Sequence, residues 1–301
     1  MFSFLRYHKS PFLVILRKSV LSLIKKLFPN KYFFLIFKLR HFLQYLILSV
    51  YYFSPKKSLS KTFFYVGSDK YYNYKELYDI LQYLLPKKKC KKILEIGIGG
   101  HDIPFGGGQS LRALNFFYSE ANIFGMDINN KAFLDGGRIK TIIGDQSDQI
   151  KLNEVANTFG PFDLIIDDGS HFVTHQKKTF QTFFNSLNDN GIYICEDCSS
   201  SYVNSFEGDP NLSEEKNIIQ YFSKFVHAVN SESLAKEKLD SLNNFKMITK
   251  ILFFKGAVLI QKKIKKNLIP LDYKIQTESL EEYSTRVSIK KNKKGFINIS
   301  T

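Results

Sequence analysis

The sequence predicts an α/β fold built on a mostly parallel sheet. Three short apolar runs, residues 92–96, 162–166 and 191–195, have the length of strands, and each is followed at once by glycine or acidic residues. Strands of a parallel sheet are covered on both faces, so their sequences are continuously apolar instead of alternating. Open α/β sheets bind ligands at the carboxyl ends of their strands. The polar residues after these three runs are therefore expected to share one crevice.

Further strands and helices are expected along the chain. Residues 121–127 and 139–146 predict two more strands that end in polar residues. The predicted helices are residues 71–85, 110–119, 175–187 and 214–225. Residues 247–262 are rich in Ile, Leu, Phe and Val, with Lys255-Gly256 near the centre, and two such segments joined by a turn with glycine indicate a β-hairpin.

The first strand leads into a glycine-rich turn that contains Gly97 and Gly99 and is preceded by Glu95. Glycine permits a tight turn and lets backbone N–H groups approach a ligand closely. A dinucleotide-binding turn of the form G-x-G-x-x-G leads directly into a helix. Here a loop with three more glycines intervenes before a helix that starts at Ser110. The spacing favours the E-x-G-x-G turn that cradles S-adenosylmethionine over NAD binding.

The next two strands also end in polar side chains. Asp127 is placed where a carboxylate accepts hydrogen bonds from both hydroxyls of a ribose. Asp145 and Gln146 form a polar pair suited to the edge of an adenine ring. The two aspartates could instead cap helices, but their position after successive strands favours contact with a nucleoside.

An acidic cluster follows the remaining two strands. Asp167, Asp168 and His171 come after one strand, and Glu196 and Asp197 come after the other. Like charges in one crevice are costly unless a cation compensates them. Carboxylate oxygens select a hard cation such as magnesium, and a neighbouring histidine is suited to act as a general base. The sequence therefore predicts a metal-assisted active site, in which Asp167 could be a further ligand or could hold the cofactor's amino group.

Six segments together resemble the class I methyltransferases that O-methylate deoxysugars of macrolide antibiotics, of the mycinamicin and tylosin type. They are residues 95–99, 108–113, 124–128, 144–148, 160–171 and 196–197. Residues 67–70 with Tyr74 and Tyr78 resemble the segment that precedes the first strand in these enzymes. The resemblance extends over residues 65–265, and nothing comparable covers residues 1–60.

The resemblance implies a Rossmann-like class I methyltransferase fold, with a seven-stranded sheet that ends in an antiparallel hairpin. It implies a magnesium or manganese ion held by Asp168, Glu196 and Asp197, with His171 as the general base. The residues expected to bind S-adenosylmethionine are Glu95, Gly97, Gly99, Ser110, Asp127, Asp145 and Gln146. The implied activity is O-methylation of a sugar hydroxyl in a glycan, a glycolipid or a glycosylated metabolite.

Positive charge is concentrated at the start of the chain. The protein has 301 residues and a net charge of +15, yet its first acidic residue is Asp69. Residues 1–68 contain 12 of the 43 lysines and arginines and so carry +12 of that charge. We divide the chain into a basic, apolar and helical arm (residues 1–60), a methyltransferase domain (61–265) and a lysine-rich appendage with local strands (266–301).

Two roles are open for the arm. Residues 32–53 are long enough to span a bilayer, but Lys38, Arg40 and His41 interrupt their first half. A basic amphipathic segment on an anionic membrane surface is favoured, and a helical cap on the domain is the alternative. An odd count of three cysteines gives no disulfide framework, so we expect a cytoplasmic protein. The basic arm would make this protein peripheral at the membrane.

Other functions are weaker alternatives. A non-catalytic S-adenosylmethionine-binding scaffold would not need the full set of acidic residues with histidine. A nucleic-acid methyltransferase could use the basic arm, but the arm is too apolar for a phosphate-binding tail, so we expect no nucleic-acid partner. The pairs His171/His175 and Cys195/Cys198 match zinc or redox spacings, yet packing roles are favoured for His175 and both cysteines. A homo-oligomer is compatible with the sequence.

Overall fold

A computed structural model of the protein describes residues 18–54, 57–101, 103–212, 216–234, 236–264, 289–291 and 297–299. Its centre is a seven-stranded sheet of order β3-β2-β1-β4-β5-β7-β6. The strands are β1 (Lys92–Ile96), β2 (Asn122–Asp127), β3 (Ile139–Ile143), β4 (Phe162–Asp167), β5 (Leu187–Cys195), β6 (Ile248–Phe254) and β7 (Ala257–Lys262). Strands β1 to β5 are mutually parallel, and β7 is antiparallel to both β5 and β6. The predicted sheet and its terminal hairpin are confirmed.

The described residues form nine α-helices, several of which pack on the two faces of this sheet. They are α1 (Lys18–Leu27), α2 (Tyr32–Tyr52), α3 (Leu59–Val66), α4 (Lys70–Leu84), α5 (Gln109–Phe117), α6 (Gln149–Phe159), α7 (Val173–Asn185), α8 (Ile218–Ser223) and α9 (Lys236–Ser241). Three of the four predicted helices appear within two residues of their expected bounds. The fourth, expected over 214–225, is confined to α8, and residues 213–215 lie outside the described residues.

One expected boundary is wrong. Residues 188–191 were expected to follow the end of a helix and precede the strand, but β5 already begins at Leu187. Leu187 pairs with Phe162 of β4, and after an irregularity the pairing resumes at Leu164 with Ile192. Residues 188–191 lie within this irregularity, and Asn190 has a left-handed φ of 62°, so the strand contains a turn-like bulge.

The two faces of the sheet bury separate apolar clusters, because successive strand residues point to opposite sides. Ile93 of β1 faces the cluster formed with α3, α4 and α5, whereas Leu94 and Ile96 face the cluster formed with α6, α7 and α8. Both clusters are almost fully shielded from solvent. The core therefore fixes the strands so that their carboxyl ends meet at one edge.

Helix α2 has two unlike faces. Gln44, Leu48 and Tyr51 are its buried residues, and the Gln44 side chain donates to the Val66 carbonyl oxygen of α3 at 2.6 Å. Its opposite face leaves apolar side chains in solvent, including Phe42, Tyr45 and Val50. Among the described residues, Pro29–Tyr52 is the one helical segment that is long and apolar enough to cross a membrane. Helices of soluble proteins can have the same length and composition.

The ends of the chain are described only in part. Residues 1–17 of the arm lie outside the described residues, as does most of the segment 266–301. Within that segment, β8 (Ile289–Lys291) and β9 (Ile297–Ile299) form an antiparallel pair. The expectation of local strands there is confirmed for these two.

The turn after β1 requires glycine at one position for two separate reasons. Gly97 has a φ of +84°, and a Cβ atom there would lie 2.0 Å from the Asp168 carbonyl oxygen. Gly99 has a φ of +73° but no atom within 4 Å of such a Cβ. The turn and the loop after β4 thus touch at Gly97, whereas Gly99 faces open space.

We predict that Gly97→Ala will destabilise the protein much more than Gly99→Ala. A left-handed backbone costs a non-glycine residue about 1–2 kcal/mol in both variants. The overlap with Asp168 should add about 1–3 kcal/mol at Gly97 alone. Urea unfolding of both variants checks this, and equal destabilisation would contradict the close approach of the two loops.

Candidate active site

The acidic residues expected to converge do lie together at the carboxyl edge of the sheet. The backbone N–H of Asp168 donates to the Ile96 carbonyl at 2.9 Å, and that of Glu196 donates to the Asp167 carbonyl at 2.9 Å. These bonds extend the parallel ladders one residue past the ends of β4 and β5. The side chains of Asp168 and Glu196 are therefore held beside that of Glu95 on β1.

The common partner of these three carboxylates is the ammonium of Lys70, at the start of α4. Lys70 is only 2 % exposed. Its Nζ lies 2.7 Å from Asp168 Oδ2 and 3.3 Å from Glu95 Oε1, and it donates to Glu196 Oε2. One buried cation thus joins the ends of three neighbouring strands.

Two tyrosines on the same helix complete the contact. The Tyr74 hydroxyl donates to Asp197 Oδ1 at 2.5 Å, and the Tyr78 hydroxyl donates to Glu196 Oε1. Lys70, Tyr74 and Tyr78 are four residues apart, so one face of α4 carries all three groups. The helix presents a cation and two hydroxyl donors to the acidic cluster.

Burial and ion pairing act in opposite directions on these groups. Burial raises the pKa of Asp168 and Glu196 above their ordinary values, although Lys70 opposes the shift. Burial also raises the pKa of Glu95 to about 7. For Lys70, burial lowers the pKa, but the carboxylates of Asp168 and Glu196 outweigh it and the net shift is upward. One ammonium for three carboxylates leaves this site attractive to further positive charge.

Three predicted site residues have the spacing of a metal site. Single ligand atoms of Asp168, His171 and Asp197 all lie within 4.8 Å of one another. His171 Nε2 is 3.4 Å from Asp197 Oδ2. The backbone carbonyl oxygen of His171 accepts a hydrogen bond from the Ser200 hydroxyl at 2.8 Å. Both His171 and Asp197 have left-handed backbone, with φ of 61° and 50°. Strained loop geometry thus directs imidazole and carboxylate into the same crevice.

The donor set fits a hard divalent cation. Asp168 and Asp197 are part exposed, with 25 % and 46 % of their side chains accessible, so both can reach a ligand in the crevice. Glu196 is fully buried and is not among the three residues grouped by their ligand spacing, but its Oε2 shares the Lys70 ammonium with Asp168 Oδ2. Oxygen donors around a cation are what magnesium requires.

The predicted cofactor residues surround the glycine turn. Ser110 of α5 donates to Glu95 Oε2 at 2.7 Å, and both side chains are buried. Asp127 Oδ2 accepts from the Ile98 backbone N–H at 2.9 Å, so its carboxylate holds the turn itself. Asp145 is exposed beyond β3, and its carboxylate accepts from the Ser147 backbone N–H. Gly99 belongs to this turn, and no atom lies within 4 Å of the position that its Cβ would take.

The Gln146 side chain is buried, and its polar atoms are bonded to protein groups. Its side-chain Nε2 donates to Asp167 Oδ1 at 2.6 Å and to the Thr179 hydroxyl, and its Oε1 accepts from the Ser170 backbone N–H. Asp167 is 1 % exposed and also accepts from the Tyr193 hydroxyl at 2.7 Å. Burial raises the pKa of Asp167 to about 7. Gln146 and Asp167 therefore support the loop that carries Asp168 and His171, and the adenine contact of Gln146 stays a prediction.

The zinc-like pairs have ordinary structural partners. His175 Nδ1 is hydrogen-bonded to the Ser170 hydroxyl at 2.8 Å. Cys195 and Cys198 are buried free thiols, and Cys198 Sγ donates to the Cys195 carbonyl. Neither His175 nor the cysteines join the group of potential metal ligands found in the described part of the chain.

Sequence analysis assigns no role to Lys70, Tyr74 and Tyr78, although they lie in a segment that resembles the family. Their spacing of four residues was the available signal, since it puts a lysine and two tyrosines on one helical face. The partners of that face are more than ninety residues away in sequence. Only the fold brings them together.

No protein-family model matches this chain. It is 38 % identical over 145 residues to an 8-demethyl-8-alpha-L-rhamnosyl tetracenomycin-C 2'-O-methyltransferase of Streptomyces olivaceus, covering 47 % of this chain and 38 % of that protein. It is 42 % identical over 118 residues to a demethylmacrocin O-methyltransferase of Streptomyces fradiae, covering 39 % of this chain and 30 % of that protein. The matches thus span well under half the length of these curated relatives.

The structure is similar to that of the MycE methyltransferase of the mycinamycin biosynthetic pathway, solved in complex with Mg and SAH. The TM-score is 0.69 at 26 % identity, and the match covers 77 % of this chain and 61 % of that chain. The chain therefore has the class I methyltransferase fold, and its relatives in sequence are sugar O-methyltransferases. The predicted fold and the resemblance to macrolide deoxysugar O-methyltransferases are confirmed.

We predict that Lys70→Met will destabilise the protein by about 3–5 kcal/mol at pH 8, because removal of one partner leaves buried carboxylates uncompensated. The loss should be smaller at pH 5, where Asp168, Glu196 and Glu95, whose pKa values are raised, take up protons in the folded variant. Urea unfolding at both pH values measures it.

The matched control is Lys75→Met on the same helix, since Lys75 is exposed and pairs with Asp79 at the surface. It should unfold almost as wild type does. If Lys70→Met were as harmless as this control, the ammonium would not be the cation that holds the three strand ends.

Proposed function

We propose that this protein is an S-adenosylmethionine-dependent, magnesium-assisted O-methyltransferase that acts on a sugar hydroxyl. The observation that carries the proposal is the grouping of Asp168, His171 and Asp197 beside the glycine turn of a class I methyltransferase fold. The names of the relatives, which include 2'-O- and demethylmacrocin O-methyltransferases, support the same activity.

The glycine turn and the acids after β1 to β3 would hold the cofactor. Asp127 fixes the turn through the Ile98 N–H, and its second oxygen accepts from the Asn129 N–H, so its position at the strand end is rigid. Gly99 leaves open space next to the turn, where backbone can approach a ligand. The bound cofactor supplies an activated methyl group, so the protein's task is to orient and deprotonate the acceptor.

Asp168, Glu196 and Asp197 would hold magnesium. When bound, magnesium supplies positive charge that makes a neighbouring sugar hydroxyl more acidic. Tyr74 and Tyr78 donate to Asp197 and Glu196 and thereby orient their carboxylates. Such support would hold the carboxylates of a metal site in place, and the part-exposed Asp197 keeps its Oδ2 toward His171 in the crevice.

His171 would accept the proton of the acceptor hydroxyl at Nε2. This nitrogen faces Asp197 at 3.4 Å, so the carboxylate can stabilise the imidazolium that proton transfer creates. The hydrogen bond from Ser200 to the His171 carbonyl holds the backbone in its left-handed conformation. The imidazole ring therefore stays next to the Asp197 carboxylate and is still accessible from the crevice.

The acceptor class rests on the relatives. Their names specify rhamnosyl tetracenomycin and demethylmacrocin, both glycosylated small molecules. We infer a sugar hydroxyl in a glycan, glycolipid or glycosylated metabolite for this chain. A binding scaffold is the weaker alternative, since it would not need an imidazole among the carboxylates.

We predict that methyl transfer to a deoxysugar glycoside panel will require magnesium or manganese and stop in EDTA. Asp168→Asn should abolish the metal response. His171→Ala should lower kcat by about 10²–10⁴-fold and leave calorimetric affinity for S-adenosylhomocysteine unchanged, because a base acts in the transition state.

Matched controls are Asp240→Asn and His227→Ala, which remove an exposed aspartate and an exposed histidine away from the site. Both should retain full activity. Full turnover of wild-type protein in chelator would refute the metal role, and binding of NADH without any binding of S-adenosylhomocysteine would refute the cofactor.

We further propose that the arm, residues 1–60, brings the domain (61–265) to an anionic membrane surface in the cytoplasm. The outer face of α2 exposes 58 % of Phe42, 68 % of Tyr45 and 76 % of Val50. No acid interrupts residues 1–68. Apolar insertion and attraction to anionic lipid would act together.

We predict that the triple change Phe42→Ser, Tyr45→Ser and Val50→Ser will reduce sedimentation with phosphatidylglycerol vesicles by about tenfold or more, as each change removes apolar contact. The control Ile143→Ser with Ile150→Ser removes exposed apolar side chains from the domain instead and should sediment as wild type does. Failure of wild-type protein to bind these vesicles at low salt would refute the membrane role.

A further inference from the structure

A second cluster of buried charge lies between α2 and α5, and it is positive. Arg112 on α5 is 9 % exposed, and its Nε and Nη1 have no hydrogen-bond partner among the described residues. Arg40 on α2 is partly buried, and its Nε and Nη2 likewise lack a partner in that part of the chain. Two guanidinium groups thus bury N–H donors that no described acceptor satisfies.

The two arginines belong to one seam. Arg40 is on the face of α2 that also carries Phe37 and Gln44, and Phe37 packs against Phe105 and Phe133 of the domain. Nearer its end, α2 also meets α5 through Tyr51 and Phe116, whose ring centroids are 6.2 Å apart. Burial and the charge of Arg40 together lower the pKa of Arg112 to about 9.

The described side chains around the two arginines offer no counter-charge. Burial and the charges of Arg112, Lys38 and Arg40 lower the pKa of His41 to about 4, so its imidazole is neutral at pH 7. Helices α2, α3 and α5 contain no aspartate or glutamate. No salt bridge within the described ranges involves either arginine.

This arrangement is unlike the other inward-facing basic groups of the protein. Arg138 donates to the carbonyl oxygens of Tyr118, Ala121 and Asn115. Lys70 is surrounded by three carboxylates. A buried charge without partners is costly, and proteins normally pair it.

We propose that the seam between α2 and α5 binds an oxyanion of the phosphate class, held by the guanidinium groups of Arg40 and Arg112. Guanidinium matches phosphate because its planar N–H donors bind two oxygens at once. Two arginines balance a phosphate dianion, and the unpartnered amide oxygens of Gln44 and Asn115 can accept from a protonated phosphate oxygen.

The site would link the arm to the cofactor turn. Arg112 follows Ser110 by two residues in α5, and Ser110 holds Glu95 at the end of β1. An anion held from both α2 and α5 would tie the first helical turn of α5 to the arm. The phosphate could be that of a lipid headgroup, since α2 carries the exposed apolar face, or a free phosphate.

The first experiment compares thermal unfolding of the full-length protein in inorganic phosphate and in chloride at equal ionic strength. Phosphate at about a hundredfold excess over its Kd should raise the Tm of wild type by on the order of 5 °C. Arg40→Gln and Arg112→Met should lose most of that shift. In chloride, Arg112→Met should unfold no earlier than wild type, because an uncompensated charge has been removed.

The matched control is Lys61→Gln, which removes one positive charge from an exposed position on α3, and it should keep the full phosphate shift. Absence of a phosphate-specific shift in wild type would overturn the proposal, leaving a seam filled by water. An equal loss in Lys61→Gln would overturn it too, because general charge would then explain the effect.

A second experiment distinguishes the two sources of phosphate. If a lipid headgroup occupies the seam, Arg40→Gln should bind phosphatidylglycerol vesicles at least fivefold more weakly than Lys61→Gln does, and inorganic phosphate should compete. If free phosphate occupies it, the two variants should bind vesicles equally while only Arg40→Gln loses the Tm shift. These outcomes are independent of methyl transfer and so do not depend on the proposed enzyme activity.

Discussion

The contact between the Lys70 ammonium and three buried carboxylates is the interaction on which the rest of the site depends. Glu95, Asp168 and Glu196 sit at the ends of three adjacent strands, and their mutual repulsion would separate those ends without a cation. Because Lys70 begins α4, the same contact positions the helix across the carboxyl edge of the sheet. The hydroxyls of Tyr74 and Tyr78 then reach their acidic partners.

This contact also sets the electrostatic conditions for a divalent cation. A single ammonium neutralises only part of the negative charge, so the cluster stays attractive to a second cation at its exposed rim. Asp168 belongs to both groups, since it accepts from Lys70 and has the spacing of a metal ligand with His171 and Asp197. The buried carboxylates around Lys70 hold the strand ends together, and the part-exposed residues Asp168, His171 and Asp197 face the crevice.

The arm shows a different balance of forces. Its helix α2 packs a narrow face on the domain through Gln44, Leu48 and Tyr51, and it leaves the opposite apolar face in solvent. The two roles expected from sequence, a cap on the domain and contact with a membrane, are therefore compatible in one helix. Arg40 and Arg112 at the packed face have guanidinium nitrogens without a partner among the described residues, which the proposed anion would supply.

The sequence by itself determined the sheet, the hairpin and the place of the acidic cluster. Continuous apolar runs identify buried parallel strands, and polar residues after them must meet at one edge, whatever the details of packing. The strand boundary was misjudged at residues 188–191, because β5 begins at Leu187 and carries these turn-forming residues as an irregularity in its pairing with β4. Turn-forming residues can therefore lie inside a strand where a bulge interrupts the ladder.

Tertiary structure alone decided which polar groups face inward and which face the crevice. Gln146 follows a strand as Asp145 does, yet its side chain turns in to hold Asp167 and the loop after β4. Lys70 meets carboxylates up to 126 positions away in sequence. Such pairings depend on distances across the fold, and a pattern read along the chain contains no information about them, because ionic and hydrogen-bonding contacts form between whichever groups the packed core brings within reach.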